Sequence, residues 1–326
     1  MIMKKDYIFE DARIRVMETG LLTKADFEQL LAEPSYAAAL NFLKDKGWGG
    51  PDAPKNAEAL LQAEEKATWD LMEELLPGSD LLNTLRLSRD YQNVKAAVKQ
   101  IYTNSALDTD RLFVEGGTIP AGDIRRAVEE QDLEKLPPEM AEAAAQATEV
   151  LARTGDGQLC DTILDKAALK ALLNAGEKAE DPVLKDYALV TAVSADIRSA
   201  LRAARSGRSS DAIRDMLVDV PGLDISELTE AALNGRQAVA DYLNLTAYAS
   251  LAPSLNSSMS AFECACDNLM IERIRPQLHE SEKPGPLAAY VIARENEIKC
   301  VRLLLSGKQN GLPEELLRES LRNSYV

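Results

Sequence analysis

The chain of 326 residues carries one short sequence pattern three times, with the copies about one hundred residues apart. The pattern is an apolar residue, three variable residues, a carboxylate and a second apolar residue. Its copies begin at Leu22, Ile119 and Leu223. A pair made of an apolar residue and a cation recurs later in each copy, as Val94-Lys95, Leu201-Arg202 and Val301-Arg302. Because order and spacing are both retained, the sequence predicts three copies of one structural unit.

The units are predicted to be helical. Apolar residues recur at three- and four-residue spacing through most of the chain, and no sustained two-residue alternation is present. Thr23 and Asp26 resemble a helix-starting capping box, Pro120 suits a first helical turn, and Asp224 offers a cap oxygen. The sequence predicts an all-α fold with repeats at 1–110, 111–212 and 213–326.

Each repeat is predicted to end in a long helix, over 81–102, 183–206 and 286–306. Gly207 and Gly307 follow the last two of these helices, so both are expected to adopt the left-handed backbone conformation that ends a helix.

Charge and composition exclude several classes of protein. The net charge of −16 argues against nucleic acid as a main partner, because phosphate binding needs clustered cations. No apolar stretch is long enough to cross a membrane, and residues 1–6 have no apolar run behind their lysines, so we expect a soluble chain without a signal peptide. The four cysteines lack metal or redox spacing and are predicted to be buried and reduced.

No catalytic motif is found. His279 is the single histidine, which excludes a three-histidine metal site, and we expect its side chain to be exposed. There is no phosphate-binding loop and no nucleophile elbow. Adjacent carboxylates such as Glu64-Glu65 point to different faces of a helix. The sequence therefore predicts a protein with no catalytic residue, no cofactor and no metal.

Two segments resemble a known family. Residues 7–27 are similar to the opening of the C subunit of the archaeal and bacterial V/A-type rotary ATPases, the counterpart of the eukaryotic V-ATPase d subunit. Residues 286–313 resemble that family's most distinctive motif, with Tyr290, the run Arg294-Glu-Asn-Glu-Ile-Lys299, Arg302 and the turn Ser306-Gly-Lys308. Residues 87–95 and 196–202 look like internal counterparts of the same motif.

The resemblance implies three similar helical subdomains around a pseudo-threefold axis, forming a funnel. It implies a non-catalytic member of the central stalk, a socket that links the rotor shaft (the D and F subunits) to the membrane proteolipid ring of c/K-type subunits. Such a socket transmits torque for ATP-coupled proton or sodium transport. It would be a peripheral member of a hetero-oligomeric complex at the cytoplasmic face of the membrane.

Cations on the long helices are the candidate partner contacts, since local basic density is unusual in so acidic a chain. The six candidates are Lys95, Lys99, Arg198, Arg202, Lys299 and Arg302. The alternative is that these cations pair with neighbouring acids of the same repeat, such as Asp90 or Glu295.

Two other functions stay open on the residues alone. A helical-repeat scaffold that binds another soluble protein is one, although such solenoids have a repeat near 34 to 47 residues and no such period is seen here. A helical hydrolase or transferase with a hidden carboxylate site is the other.

Overall fold

The computed structural model describes residues 7–54, 56–103, 112–179 and 181–326. Regular structure in these ranges is helical apart from one isolated bridge between Val220 and Leu223, which confirms the predicted all-α fold. The repeat boundary predicted at residue 110 and the signal-peptide prediction made on residues 1–6 lie outside the described residues. Among the helices that are described, none combines the length and the apolar character needed to span a bilayer.

Sixteen α-helices lie in the described ranges. They are α1 Ile8–Glu18, α2 Lys24–Ala32, α3 Tyr36–Asp45, α4 Ala57–Leu75, α5 Asp80–Thr103, α6 Ala121–Glu129, α7 Pro138–Thr154, α8 Gly157–Lys178, α9 Pro182–Arg205, α10 Ser210–Met216, α11 Ile225–Leu233, α12 Arg236–Leu243, α13 Ala252–Ser257, α14 Met259–Ile274, α15 Gly285–Gln309 and α16 Glu314–Glu319. The three predicted long helices are α5, α9 and α15, and their bounds match the predictions within one residue except at the end of α15.

The helices form two compact units. The first contains Met1–Gly78, Asp181–Asp186 and Pro253–Val326, and the second contains Ser79–Glu180 and Tyr187–Ala252. The division into three repeats stays a prediction.

In the first unit, α15 is the central helix. It packs against α1, α3, α4 and α14, and most of its side chains are buried. Its Val301 and Leu304 join one apolar core with Leu30, Leu43 and Leu60 from the first predicted repeat. A helix that is buried around its circumference needs no polar face, which explains the near-continuous apolar sequence of its first half.

In the second unit, α5 is the central helix. It packs against α6, α7 and α8, and its Val94 and Val98 share a core with Ile124, Met140 and Leu164. The long helix of the first predicted repeat therefore completes the core of the second. The helices α10, α11 and α12 pack consecutively beside this group.

Two of the three helix starts predicted from capping residues are confirmed, and the third is corrected by one position. The Thr23 hydroxyl accepts the Asp26 N–H and the Asp26 carboxylate accepts the Thr23 N–H, so the capping box of α2 is confirmed. Asp224 caps α11 by accepting two backbone N–H groups. Pro120 is the N-cap of α6 and not a residue of its first turn, which corrects the prediction by one position.

Two further predictions on side chains are confirmed. All four cysteines are buried. His279 is exposed, at the end of a short 3₁₀ helix, Arg275–His279.

The two glycines expected to end long helices differ. Gly207 has φ +73°, as predicted. Gly307 lies inside α15, which continues to Gln309, and the left-handed residue is Gly311 with φ +65°. The reason is packing: a Cβ at position 307 would lie 3.0 Å from Cδ1 and 3.1 Å from Cγ of Leu317, and closer still to its Cδ2. Gly307 thus allows α16 to approach α15.

We expect Gly307→Val to lower the free energy of unfolding by about 1 to 3 kcal/mol, since Leu317 is buried and has little room to move. The matched control is Gly122→Val, because a Cβ there meets nothing within 4 Å and the effect should stay within about 0.5 kcal/mol. Urea unfolding of both variants measures the difference. Equal effects would contradict the packing role of Gly307.

Candidate partner-contact site on the long helices

The two candidates on α5 make ion pairs inside the second unit. Lys95 pairs with Asp165, and Lys99 Nζ lies 2.7 Å from an oxygen of Asp161. Both acids lie on α8, which belongs to the next predicted repeat. These cations therefore connect α5 to the helix that it packs against.

The two candidates on α15 are also paired, inside the first unit. Arg302 Nη1 lies 2.8 Å from Glu58 on α4, and Lys299 Nζ lies 3.1 Å from Asp267 on α14. The Arg302 pair is solvent-exposed, with 47% of the Arg302 side chain and 60% of the Glu58 side chain accessible. Exposed pairs of this kind contribute about 0 to 1 kcal/mol, so either member remains able to exchange partners.

One of the two candidates on α9, Arg202, differs from the candidates on α5 and α15. Arg198 Nε donates to the Ser194 carbonyl oxygen at 3.2 Å on its own helix. Arg202 is exposed, and within the described part of the chain its guanidinium has neither an ion-pair nor a hydrogen-bond partner. Lys95, which corresponds to Arg202 in the first predicted repeat, pairs with Asp165. Cys160 and Cys266 give an offset of 106 residues between the second and third predicted repeats, and the residue 106 positions after Asp165 is Ile271. The third predicted repeat therefore has no acid at the position where Arg202 would find one.

The predicted alternative, pairing within one repeat, is observed for Lys299 with Asp267, whereas Lys95, Lys99 and Arg302 pair with acids of a different predicted repeat. The acids in these four pairs are Asp165, Asp161, Asp267 and Glu58. Asp90 instead accepts a hydrogen bond from the Thr118 hydroxyl at 2.5 Å.

A set of buried carboxylates was not predicted from the sequence. One lies on each long helix, and each accepts a backbone N–H from the segment that leads into a different repeat. The bonds are Ile119 N–H to Asp90 at 3.2 Å, Val218 N–H to Asp196 at 3.2 Å, and Leu22 N–H to Glu297.

These links have a cyclic order. The long helix of the first predicted repeat holds the start of the second, that of the second holds the start of the third, and that of the third holds the start of the first. Two of the donors, Leu22 and Ile119, are the first residues of the recurring sequence pattern.

A sequence signal for the three carboxylates exists. Each is followed at positions +4 and +7 by apolar residues, so it interrupts an apolar stripe on a helix. The residues at +4 and +7 are Val94 and Ala97 after Asp90, Ala200 and Ala203 after Asp196, and Val301 and Leu304 after Glu297, and all six are buried. A carboxylate in such a stripe needs a hydrogen-bond donor, since burial without one is costly.

Burial shifts the titration of all three groups. Desolvation raises the pKa of Asp90 and of Glu297, against the opposing effect of the hydrogen bonds that each accepts. The same cause raises the pKa of Asp196 to about 7, with the Val218 N–H and the charge of Lys166 acting in the opposite direction. The carboxyl group that accepts the Val218 N–H therefore titrates near neutral pH.

In the first unit, Glu297 belongs to a larger charged network. The Arg294 guanidinium donates to both Glu297 and Glu64, and its centre lies 4.7 Å from the centroid of the Trp48 ring. Glu64 also accepts the Gly49 N–H. The network joins α15, α4, the turn before α4 and the start of α2, and it fixes these elements relative to one another.

Comparison with known proteins identifies the family. The ATP synthase (C/AC39) subunit family matches residues 11–320. The C subunit of a V-type ATP synthase of Thermus thermophilus is 26% identical, over 98% of this chain and 99% of that protein. The C subunit of an A-type ATP synthase of Thermococcus kodakarensis is 23% identical, over 96% and 89% of the two chains. The C subunit of a V-type sodium ATPase of Enterococcus hirae is 22% identical, over 96% and 97%. The chain belongs to the ATP synthase (C/AC39) subunit family, as a C subunit of the V/A type.

Proposed function

We propose that the chain is a non-catalytic central-stalk subunit of a V/A-type rotary ATPase, a socket between the rotor shaft, made of the D and F subunits, and the membrane proteolipid ring. The observation that carries this proposal is the family match over residues 11–320, together with relatives that are similar over nearly their whole length. The chain would sit at the cytoplasmic face of the membrane and transmit torque for ion transport.

A closed arrangement of three helical subdomains around a pseudo-threefold axis is part of the proposal. The cyclic order of the carboxylate links supports it, because the third predicted repeat holds the start of the first through Glu297 and Leu22. A part that transmits torque must resist deformation. Buried hydrogen-bonded charges such as Arg294 and Glu64 resist separation, because an unpaired buried charge is unfavourable by several kcal/mol.

The proposal is tested by binding. The purified chain should bind the shaft and the proteolipid ring of its own cell, and adding it to a complex that lacks it should restore ATP-driven ion transport. Binding to neither partner would refute the proposal and favour the alternative, a scaffold for another soluble protein.

Arg202 is the candidate contact that we expect to matter most, because its guanidinium has no partner among the described residues. Arg202→Glu should weaken binding to the shaft or the ring about 10-fold or more at low salt, and less at 0.5 M salt where exposed charges are screened. Arg302→Glu should have a smaller effect, since Arg302 already pairs with Glu58. Titration of the labelled partner proteins measures the affinities.

The matched control is Arg153→Glu on α7, where the arginine is 70% exposed and faces Glu149 at 3.9 Å. It makes the same change in net charge at a different surface and should leave affinity unchanged. Helix content by circular dichroism should be the same in all variants. Equal affinities for Arg202→Glu and Arg153→Glu would exclude Arg202 as a contact.

A further inference from the structure

The first helix presents apolar side chains to solvent and buries charged ones. Phe9 is 70% exposed and Val16 is 61% exposed, whereas Asp11 and Glu18 are buried beside Ile14. A surface helix ordinarily has the opposite arrangement, with its apolar stripe toward the core. The exposed face of α1 therefore has a composition that suits contact with another molecule and not with water.

The buried charges fix this orientation. The Arg15 guanidinium donates to the Gln277 carbonyl oxygen at 2.7 Å and to that of Glu280. Glu18 pairs with Arg15 at 2.6 Å, and Asp11 accepts the Glu282 N–H. Rotating α1 to bury its apolar face would break the bonds of Arg15 to the Gln277 and Glu280 carbonyl oxygens and of Asp11 to the Glu282 N–H, and would leave the Asp11 carboxylate without that donor. The apolar face is thus held outward by polar contacts on the opposite side of the helix.

The exposed face has the shape of a helix-packing ridge. Phe9, Ala12 and Val16 are spaced at three and four residues, so they lie in one row of roughly 10 Å at 1.5 Å per residue. The small Ala12 between two larger side chains leaves a groove into which a ridge of another helix fits. Arg13, beside this row, is exposed and has no ion-pair partner in the described ranges.

We propose that the row Phe9, Ala12 and Val16 is a docking surface for a helix of another protein of the complex, one with an apolar ridge and a carboxylate that meets Arg13. This inference rests on the proposed function, which supplies the complex. Charge decides between occupants. A second copy of α1 would bring Arg13 close to Arg13, and an anionic lipid surface is a poor partner for a chain of net charge −16, in which Arg13 is the cation that the described residues place beside this row.

The test uses the full chain with purified shaft and proteolipid ring. Phe9→Ser with Val16→Ser should lower the affinity for one of these partners about 10- to 100-fold, because two apolar side chains no longer become buried on binding. The matched control is Leu233→Ser with Leu245→Ser, which removes two other exposed apolar side chains, 47% and 86% accessible. Both double variants should retain the helix content of the unmodified chain.

A photoreactive analogue, p-benzoyl-phenylalanine, in place of Phe9 identifies the occupant in the assembled complex. A cross-link to a helix of the shaft or the ring supports the proposal. A cross-link within the chain, a dimer of the free chain that the Phe9→Ser/Val16→Ser variant abolishes, or binding to phosphatidylcholine–phosphatidylglycerol vesicles that it abolishes would each overturn it. Equal affinities for the two double variants would also overturn it. If the unmodified chain binds neither shaft nor ring, the proposed function itself fails, and the two failures are thereby distinguished.

Discussion

Replacing Arg294 with methionine is expected to lower the free energy of unfolding by about 3 to 5 kcal/mol. The guanidinium bridges Glu64 and Glu297, and all three side chains are at least nine-tenths buried. Methionine fills much of the same volume but leaves two carboxylates in the core without a counter-charge. The stacking of the guanidinium on Trp48 is lost as well.

Tryptophan fluorescence during urea unfolding measures this effect directly. The two tryptophans of the chain, Trp48 and Trp69, both lie in the first unit, so their emission reports on the unit that contains the network. The matched control is Arg302→Met on the same helix, which removes an exposed ion pair and should change stability by less than about 1 kcal/mol.

A rescue experiment separates loss of charge balance from loss of packing. Adding Glu64→Gln and Glu297→Gln to Arg294→Met removes both carboxylate charges and keeps an oxygen for the Gly49 and Leu22 N–H groups. We expect this triple variant to regain more than half of the lost stability. If Arg294→Met alone has no larger effect than Arg302→Met, the network does not hold the first unit together.

The sequence was sufficient for features that depend on neighbours along the chain. The capping box at Thr23 and Asp26 and the bounds of α5 and α9 follow from local spacing and were predicted. Gly307 was assigned incorrectly, because its role depends on Leu317 of a following helix. Local sequence cannot distinguish a glycine that ends a helix from one that admits a neighbouring side chain.

The candidate site was less predictable, because its partners are distant in sequence. Arg294 and Glu64 are 230 residues apart, and adjacency to Glu65 suggested only that the two glutamates point in different directions. The cations on α5 and α15 were correctly placed on the long helices, but their acids lie on other helices. Lys95 and Arg302 each pair with an acid of a different predicted repeat, where spacing along the chain gives no guide.

Replacing Asp196 with asparagine is expected to stabilise the chain at pH 8 by about 2 kcal/mol and to have an effect close to zero at pH 5. In the folded chain the pKa of this carboxyl is about 7, against an ordinary value of 3.8. A folded-state pKa above the unfolded one means that the folded state binds the proton more tightly. Stability from this group is therefore full below about pH 4, declines as pH rises to about 7, and stays low above that.

The magnitude follows from two opposing effects. A difference of about three pKa units corresponds to roughly 4 kcal/mol at pH 8 and to less than half of that at pH 5. Asparagine has no charge and keeps an oxygen to accept the Val218 N–H, but its amide hydrogens are buried without a known acceptor at a cost of about 1 to 3 kcal/mol. Asp196→Asn therefore raises the free energy of unfolding at pH 8 and changes it little at pH 5.

Urea unfolding followed by circular dichroism at both pH values gives the comparison. Every other titrating group is common to the two proteins, so the difference between them isolates Asp196. Asp123→Asn is the matched control, because Asp123 is 57% exposed and lies on α6 of the same unit, and its effect should stay within about 0.5 kcal/mol at both pH values. An equal gain at pH 5 and pH 8 would show that Asp196 titrates like an ordinary aspartate, and that its bond to Val218 is between an ionised carboxylate and the backbone throughout this range.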